Sequence, residues 1–254
     1  MTYTEPTSAA ATHPRHGLLV ACGLALGIAV AIGLARFAYA LILPAMKADL
    51  AWSYTAAGSL NTTNAVGYLL GSYVAFRTVR SWGPTRPFIV GLWLTALTVI
   101  LTGFFRDFYV ISALRLMTGV TSAYVFVAGS VLAASVFPDD PRKAATAIAI
   151  YFAGGGLGLL ISGLVLPWLL AHGGDPSWPQ AWLTLGVLSC AGSLLATLAA
   201  RERSPPAARA APHPWRKAPF TPMFLAYGCF ALGYFAYMTF IVAWLRHPGF
   251  KATR

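Results

Sequence analysis

Apolar residues occur in seven long stretches, and short polar segments separate one stretch from the next. Each stretch is close to the roughly 20 residues that an α-helix needs to cross a hydrocarbon core of about 30 Å. We therefore predict an all-α fold, a polytopic transmembrane helical bundle with its ends on opposite sides of the membrane. The predicted spans are residues 18–46, 56–76, 87–105, 108–135, 144–170, 180–200 and 221–245.

The composition supports a membrane location. Of the 254 residues, 57% are hydrophobic and 10% are charged, and the mean hydropathy is +0.66, above the usual range of soluble domains. The net charge of +11 would also suit nucleic-acid binding, but the basic residues lie in short segments between the apolar stretches and not along one face. The predicted partner is the lipid bilayer, and no nucleic acid is predicted.

The distribution of Lys and Arg predicts the orientation. With a cytoplasmic N-terminus, the cytoplasmic connections hold 11 of these residues and the opposite side holds 5, as the positive-inside rule requires. The chain then divides into a cytoplasmic tail (1–17), a six-helix transmembrane unit (18–200), a basic and proline-rich linker (201–219) and the first helix of a second unit (220–254). We expect an integral protein of the bacterial inner (plasma) membrane.

Two arginines lie inside the predicted spans, and none of the spans contains Asp or Glu. Along an ideal helix, Arg36 in span 1 and Arg115 in span 4 both lie about 21 Å from the cytoplasmic side. A guanidinium at this depth is costly unless it faces water or a partner. Two guanidinium groups at one level suit a cavity for an anionic or strongly hydrogen-bonding solute. Alternatively, carbonyls and hydroxyls of other helices hold each arginine, and both only fix helix packing.

The second span carries a polar stripe. Asn64, Tyr68 and Ser72 recur every four residues and share one face of a helix, with Asn61 nearby. These side chains could line a polar cavity, together with the two arginines. They could equally form hydrogen bonds between helices, which is how amides and hydroxyls often act in lipid.

Glycines four residues apart predict close contacts between helices. Gly67 and Gly71 form one such pair, and Gly154 and Gly158 form another. The second pair begins a glycine-rich stretch that includes Gly163 and ends at Pro167, and this composition weakens a helix where a transporter could bend. The three cysteines lie in apolar stretches, where we expect small buried side chains without a redox role.

No catalytic or metal site is predicted. The five histidines lie in tails or connections without the spacing of metal ligands, and no cofactor motif occurs. Signatures of a serine nucleophile, a phosphate-binding loop or a zinc protease are missing from the sequence. An intramembrane enzyme would need an acid, a base and a nucleophile at one depth, and the spans hold no such group.

Three segments resemble the major facilitator superfamily and, within it, the YbfB/YjiJ-type branch. They are LARFAYALILPAM at 34–46, NAVGYLLGSYVA at 64–75 and RLMTGV at 115–120. The resemblance implies twelve helices in two halves, so this chain corresponds to the six-helix amino-terminal half plus a seventh helix that opens a second, incomplete half. A product truncated after helix seven is expected on that basis.

The resemblance also assigns several positions. Arg115 with Gly119 matches the RxxxG pattern of the superfamily's fourth helix, and the glycines from Gly154 to Gly163 match its fifth. The loop RTVRSWGPTR departs from the usual signature, because Arg80 stands where an acidic residue is expected. The gating salt bridge that this residue normally forms is therefore in doubt.

These observations together predict a secondary active transporter that moves a small solute by alternating access. The predicted substrate cavity comprises Arg36, Asn64, Tyr68 and Arg115, and the coupling ion is unknown. The alternative is a truncated membrane protein that transports nothing and acts as a structural or assembly subunit. No enzyme activity is expected in either case.

Overall fold

The computed structural model describes residues 14–202 and 221–245. Most of the predicted tail and linker and both ends of the last predicted unit lie outside the described residues. The described chain is helical throughout, which confirms the all-α fold. Its elements are α1 (Pro14–Ile28), a π-helical segment (Ala29–Phe37), α2 (Tyr39–Asp49), α3 (Tyr54–Trp82), α4 (Thr85–Thr102), α5 (Phe108–Ala134), α6 (Pro141–Gly173), a 3₁₀ turn (Asp175–Ser177), α7 (Trp178–Arg201) and α8 (Thr221–Leu245).

The first predicted span is a composite helix. Here α1, the π-helical segment and α2 follow one another within a helical stretch of 35 residues. At its end the amide of Ala38 donates to the carbonyl of Gly33, a bond spanning five residues. Such wide turns are rare and are often found at functional sites. Hydropathy contains no signal for them, and the sequence predicted a uniform helix.

Contacts at the two ends show how the helices alternate in direction. At one end, the carboxylate of Asp49, the last residue of α2, accepts hydrogen bonds from Arg106, before α5, and from the indole N–H of Trp178, at the start of α7. At the other end, His16 in α1 lies 2.9 Å from Glu202, after α7. The helices therefore run up and down between two polar ends, as membrane spans do.

Five helical stretches are long and apolar enough to cross a membrane: Arg15–Asp49, Thr85–Thr102, Phe108–Ala134, Pro141–Gly173 and Asp175–Arg201. The chain is therefore an integral membrane protein. Helix α3 has 29 residues, but its amides and hydroxyls make it less apolar. Seven crossings, which would include α3 and α8, stay a prediction.

Helices α3 and α5 meet at glycines. A Cβ added at Gly67 would overlap the carbonyl oxygen of Leu116, and one added at Gly119 would overlap the carbonyl oxygen of Asn64. Gly71 meets the backbone of Val120 in the same way. Because each glycine faces backbone, the two helices lie closer than side chains would allow.

A second set of glycines joins the composite helix to α6. Added Cβ atoms at Gly154 and Gly158 would overlap the carbonyl oxygens of Ala25 and Ala29, and Gly33 faces the backbone of Gly158. Gly163 differs, because open space surrounds its Cα. Close packing thus explains Gly154 and Gly158, and a hinge at Gly163 stays a hypothesis.

The cysteines do not lie where the sequence predicted. Cys22 and Cys229 are exposed on the bundle surface, and Cys190 is half-buried. The apolar character of a stretch does not distinguish the lipid-facing side of a membrane helix from its core-facing side, since both are apolar.

Candidate solute site

Arg36 lies in the last turn of the π-helical segment, and its side chain is half-buried. Its guanidinium carbon lies 4.4 Å from the ring centroid of Tyr68 on α3 and 5.8 Å from that of Phe37. Contacts of this kind between a cation and an aromatic face are favourable by about 0.5–2 kcal/mol. The guanidinium thus packs against an aromatic wall, and Arg36 as a whole keeps part of its surface exposed.

The wall extends over several helices. The Tyr68 ring packs edge-on against Phe126 of α5 at 5.9 Å, and Phe126 contacts Phe152 of α6 at 5.2 Å. On the other side of Arg36, Phe37 packs edge-on against Tyr234 of α8 at 6.1 Å. We call this surface the aromatic face; its members are Arg36, Phe37, Tyr68, Phe126, Phe152 and Tyr234.

Sequence reasoning predicted only Arg36 and Tyr68 of the aromatic face. Tyr227, Phe230 and Tyr234 follow each other at spacings of three and four on α8, so their helical stripe could have been recognised. In the structure, Phe230 and Tyr234 stack at 5.6 Å. Phe126 and Phe152 carried no comparable signal, because single aromatic residues in a span are usually lipid-facing or core residues.

Arg115 is placed differently from Arg36. Its side chain is only 1% exposed. One guanidinium nitrogen donates to the carbonyl of Ala35 at 2.7 Å, and the other lies 3.5 Å from the carbonyl oxygen of Arg36. The rings of Tyr39 and Trp182 flank the guanidinium at 4.8 and 5.5 Å. Arg115 therefore holds the end of the π-helical segment and has no open approach in this conformation.

The structure brings the predicted polar residues together. Asn64 donates through its side-chain nitrogen to the carbonyl of Arg115 at 2.9 Å, and thereby joins α3 to α5. Its side-chain oxygen and the Nε of Arg115 are buried and have no hydrogen-bond partner among the described residues. Ser72 bonds within its own helix, to the carbonyl of Tyr68 at 2.8 Å. Direct contact of Arg115 or Asn64 with a solute stays a prediction.

The electrostatic consequence is a positive field beneath the aromatic face. Arg36 on the π-helical segment and Arg115 on α5 lie close enough to repel each other, and the predicted spans contain no acidic residue to offset them. An anion that approaches Arg36 would reduce this repulsion in a medium that screens charges weakly. Among the described residues, no group of three or more His, Cys, Asp and Glu side chains could hold a metal ion.

The sequence matches the model of a known protein family. The model of a family described as uncharacterised MFS-type transporter YbfB matches residues 28–253, which is most of the chain. The chain belongs to this family. The match confirms the resemblance to the major facilitator superfamily and to its YbfB-type branch.

A curated relative of this YbfB-type chain is the gallate transporter of Pseudomonas putida. The two are 27% identical over 150 residues, which cover 59% of this chain and 32% of the relative. The matched part thus spans about a third of the relative's length. Both comparisons describe transporters, in agreement with the polytopic helical fold.

Proposed function

We propose that this YbfB-type chain provides the amino-terminal half of a secondary active transporter that moves a small organic anion by alternating access. The observation that carries the proposal is the position of Arg36. It is a half-buried cation within an apolar helical stretch, and it packs on an aromatic face to which the composite helix, α3, α5, α6 and α8 contribute.

An aromatic carboxylate suits this surface. A guanidinium binds a carboxylate through two parallel N–H donors, and aromatic rings next to it favour edge-on or offset contacts with a ring of the solute. Tyr68 could supply its hydroxyl as well as its ring. The name of the Pseudomonas relative, a gallate transporter, supports the same class, since gallate is an aromatic carboxylate.

The remaining predicted residues have supporting roles in this proposal. Arg115 and Asn64 fix the backbone that carries Arg36, and they could reach the solute if the π-helical segment rearranges. The glycine contacts of α3 with α5 and of α6 with the composite helix leave smooth surfaces on which helices can slide. No coupling ion is assigned, because the predicted spans hold neither a carboxylate nor a histidine.

We also propose an inner-membrane location with a cytoplasmic N-terminus. The excess of Lys and Arg in the connections on that side supports it. The test is labelling with a membrane-impermeant reagent of single cysteines at Ser81, near the end of α3, and at Phe104, after α4, in a variant whose three native cysteines are replaced by serine. Labelling of the Phe104 position alone in intact cells is expected, and labelling of the Ser81 position alone would reverse the orientation.

Uptake of labelled benzoate and hydroxybenzoates tests the transport proposal. Cells would produce the chain alone, or the chain extended to twelve helices with the second half of a full-length family member. Uptake that benzamide does not inhibit, and that Arg36→Gln abolishes at unchanged membrane abundance, would support the proposal. Arg77→Gln is the matched control, because Arg77 also stacks on a tyrosine, Tyr73 at 4.8 Å, but is exposed near the end of α3, nine residues beyond Tyr68.

The same assay addresses the alternative of a structural subunit that transports nothing. If only the extended form moves solute, the chain alone is not a transporter. If neither form moves any anion while both reach the membrane, the transport proposal is wrong.

A further inference from the structure

A groove lies away from the aromatic face, and none of its lining residues belongs to that face. Helices α3, α4 and α5 enclose a groove of about 720 Å³ on the outer side of the bundle. Its walls are mostly apolar and include Val74, Val90, Leu94 and Met117, each of which is substantially exposed. In a membrane protein, an exposed groove of this kind is open to the acyl chains of lipids.

The charged lining residue, Arg86, lies at one end of the groove, which we call the polar end. Trp82, at the end of α3, and Arg86, in the first turn of α4, line this end. Trp82 is 70% exposed. Tryptophan is enriched where the hydrocarbon core meets the headgroups, so this end lies at the membrane interface. The groove then extends inward from the interface along α4.

The length of the groove matches one leaflet. From Arg86 to Leu94 on α4, and from Trp82 back to Val74 on α3, the chain advances eight residues, about 12 Å of helix. Half of a hydrocarbon core of about 30 Å is about 15 Å. The apolar part therefore has the length of a single acyl chain that enters from the interface.

The charge at the polar end is strongly positive. Arg77 and Arg80, on the last turns of α3, are exposed and lie within nine residues of Arg86 in the sequence. The sequence has no Asp or Glu from residue 50 to residue 106. Among the residues that the structure describes, none of the ion pairs involves these three arginines. An anionic group at this end would meet Arg86, which forms none of the ion pairs among the described residues.

We propose that this groove binds an anionic phospholipid, with one acyl chain between α3, α4 and α5 and the headgroup phosphate at Arg86. Charge complementarity selects the anionic headgroup, and the length and apolar walls select the chain. The proposal is independent of the transported solute.

Competitive lipid binding tests the proposal. The purified chain would be mixed in detergent with equal amounts of phosphatidylglycerol and phosphatidylcholine of identical chains, and bound lipid counted by mass spectrometry. We expect phosphatidylglycerol to be retained in excess. Arg86→Gln should lower its retention about fivefold, the equivalent of the roughly 1 kcal/mol that one cation near an anionic surface contributes. Arg86→Lys should restore most of it.

Two further variants separate groove binding from general attraction. Val90→Trp, at an exposed wall position, should lower retention of both lipids because the larger ring fills the groove. Arg142→Gln is the matched control, since Arg142 is an exposed cation at the start of α6 and outside the groove. Equal retention of the two lipids by the unaltered chain, or equal losses in Arg86→Gln and Arg142→Gln, would overturn the proposal. Displacement of the lipid by glycerol phosphate alone would overturn the role of the acyl chain.

Discussion

Replacement of Arg115 by methionine should destabilise the bundle. The guanidinium donates to the carbonyl of Ala35 at 2.7 Å and is flanked by Tyr39 at 4.8 Å and Trp182 at 5.5 Å. A charge-assisted hydrogen bond contributes about 1.5–3 kcal/mol, and each cation–aromatic contact about 0.5–2 kcal/mol. Relief of the cost of burying a cation offsets part of this loss. We expect a net loss of about 2–4 kcal/mol.

Thermal unfolding in detergent measures this loss, with the fraction of monodisperse protein after heating as the readout. Such unfolding is often irreversible, so the variants are ranked at one heating rate. Arg115→Lys should lie between the unaltered chain and Arg115→Met, because an ammonium keeps the charge but not the planar fork. Arg36→Met should lose less, since its side chain is half-buried.

The opposite ranking would refute this reasoning. If Arg115→Met melted like the unaltered chain and yet lost solute binding, Arg115 would contact the solute, and the π-helical segment would not depend on it. If Arg36→Met unfolded more readily than Arg115→Met, Arg36 would be the structural residue.

Three further predictions concern the frame around the site. Gly119→Leu should prevent the close approach of α5 to α3, so that no monodisperse protein is obtained. Gly163→Ala, in open space, should change the melting midpoint little. If Gly163 is a hinge, this variant should lose transport at unchanged stability. Asp49→Ala should cost about 1–3 kcal/mol because the buried indole N–H of Trp178 loses its acceptor, and adding Trp178→Phe should cost little more in a double-mutant cycle. The pKa of Asp140 lies below its usual value because the backbone and side chain of Lys143 and the amide of Arg142 donate to its carboxylate, so its capping of α6 should weaken only as the pH falls below about 4. Asp140→Asn should remove that part of the pH dependence, measured by melting at several pH values; an unchanged dependence would assign it to other carboxylates.

Much of the fold followed from hydropathy, because a spanning helix must be long and apolar whatever its neighbours are. The predicted boundaries nevertheless differ from the observed ones where polar residues continue a helix. Helix α3 extends from Tyr54 to Trp82 although its predicted apolar part is residues 56–76. The π-helical segment was not predictable, since it depends on contacts such as Gly33 with Gly158 and Arg115 with the carbonyl of Ala35.

Part of the candidate site could be predicted from the sequence, because a charged side chain is costly in lipid and is therefore rare in a spanning helix. That cost singled out Arg36 and Arg115, and helical rise indicated a common depth. Sequence could not tell that Arg115 would be enclosed by Tyr39 and Trp182 while Arg36 stayed half-buried. Which side of a helix faces the bundle depends on the neighbouring helices, and apolar residues occur on both sides in a membrane.

Direct binding of benzoate and benzamide to the purified chain, measured by calorimetry, tests the central claim that Arg36 on the aromatic face binds an anionic aromatic solute. Loss of a charge-assisted hydrogen bond costs about 1.5–3 kcal/mol, so benzoate should bind about 10- to 100-fold more tightly than benzamide. Arg36→Gln should remove this preference, and Arg77→Gln should keep it. Equal binding of the two compounds by the unaltered chain, or an undiminished preference in Arg36→Gln, would contradict the claim.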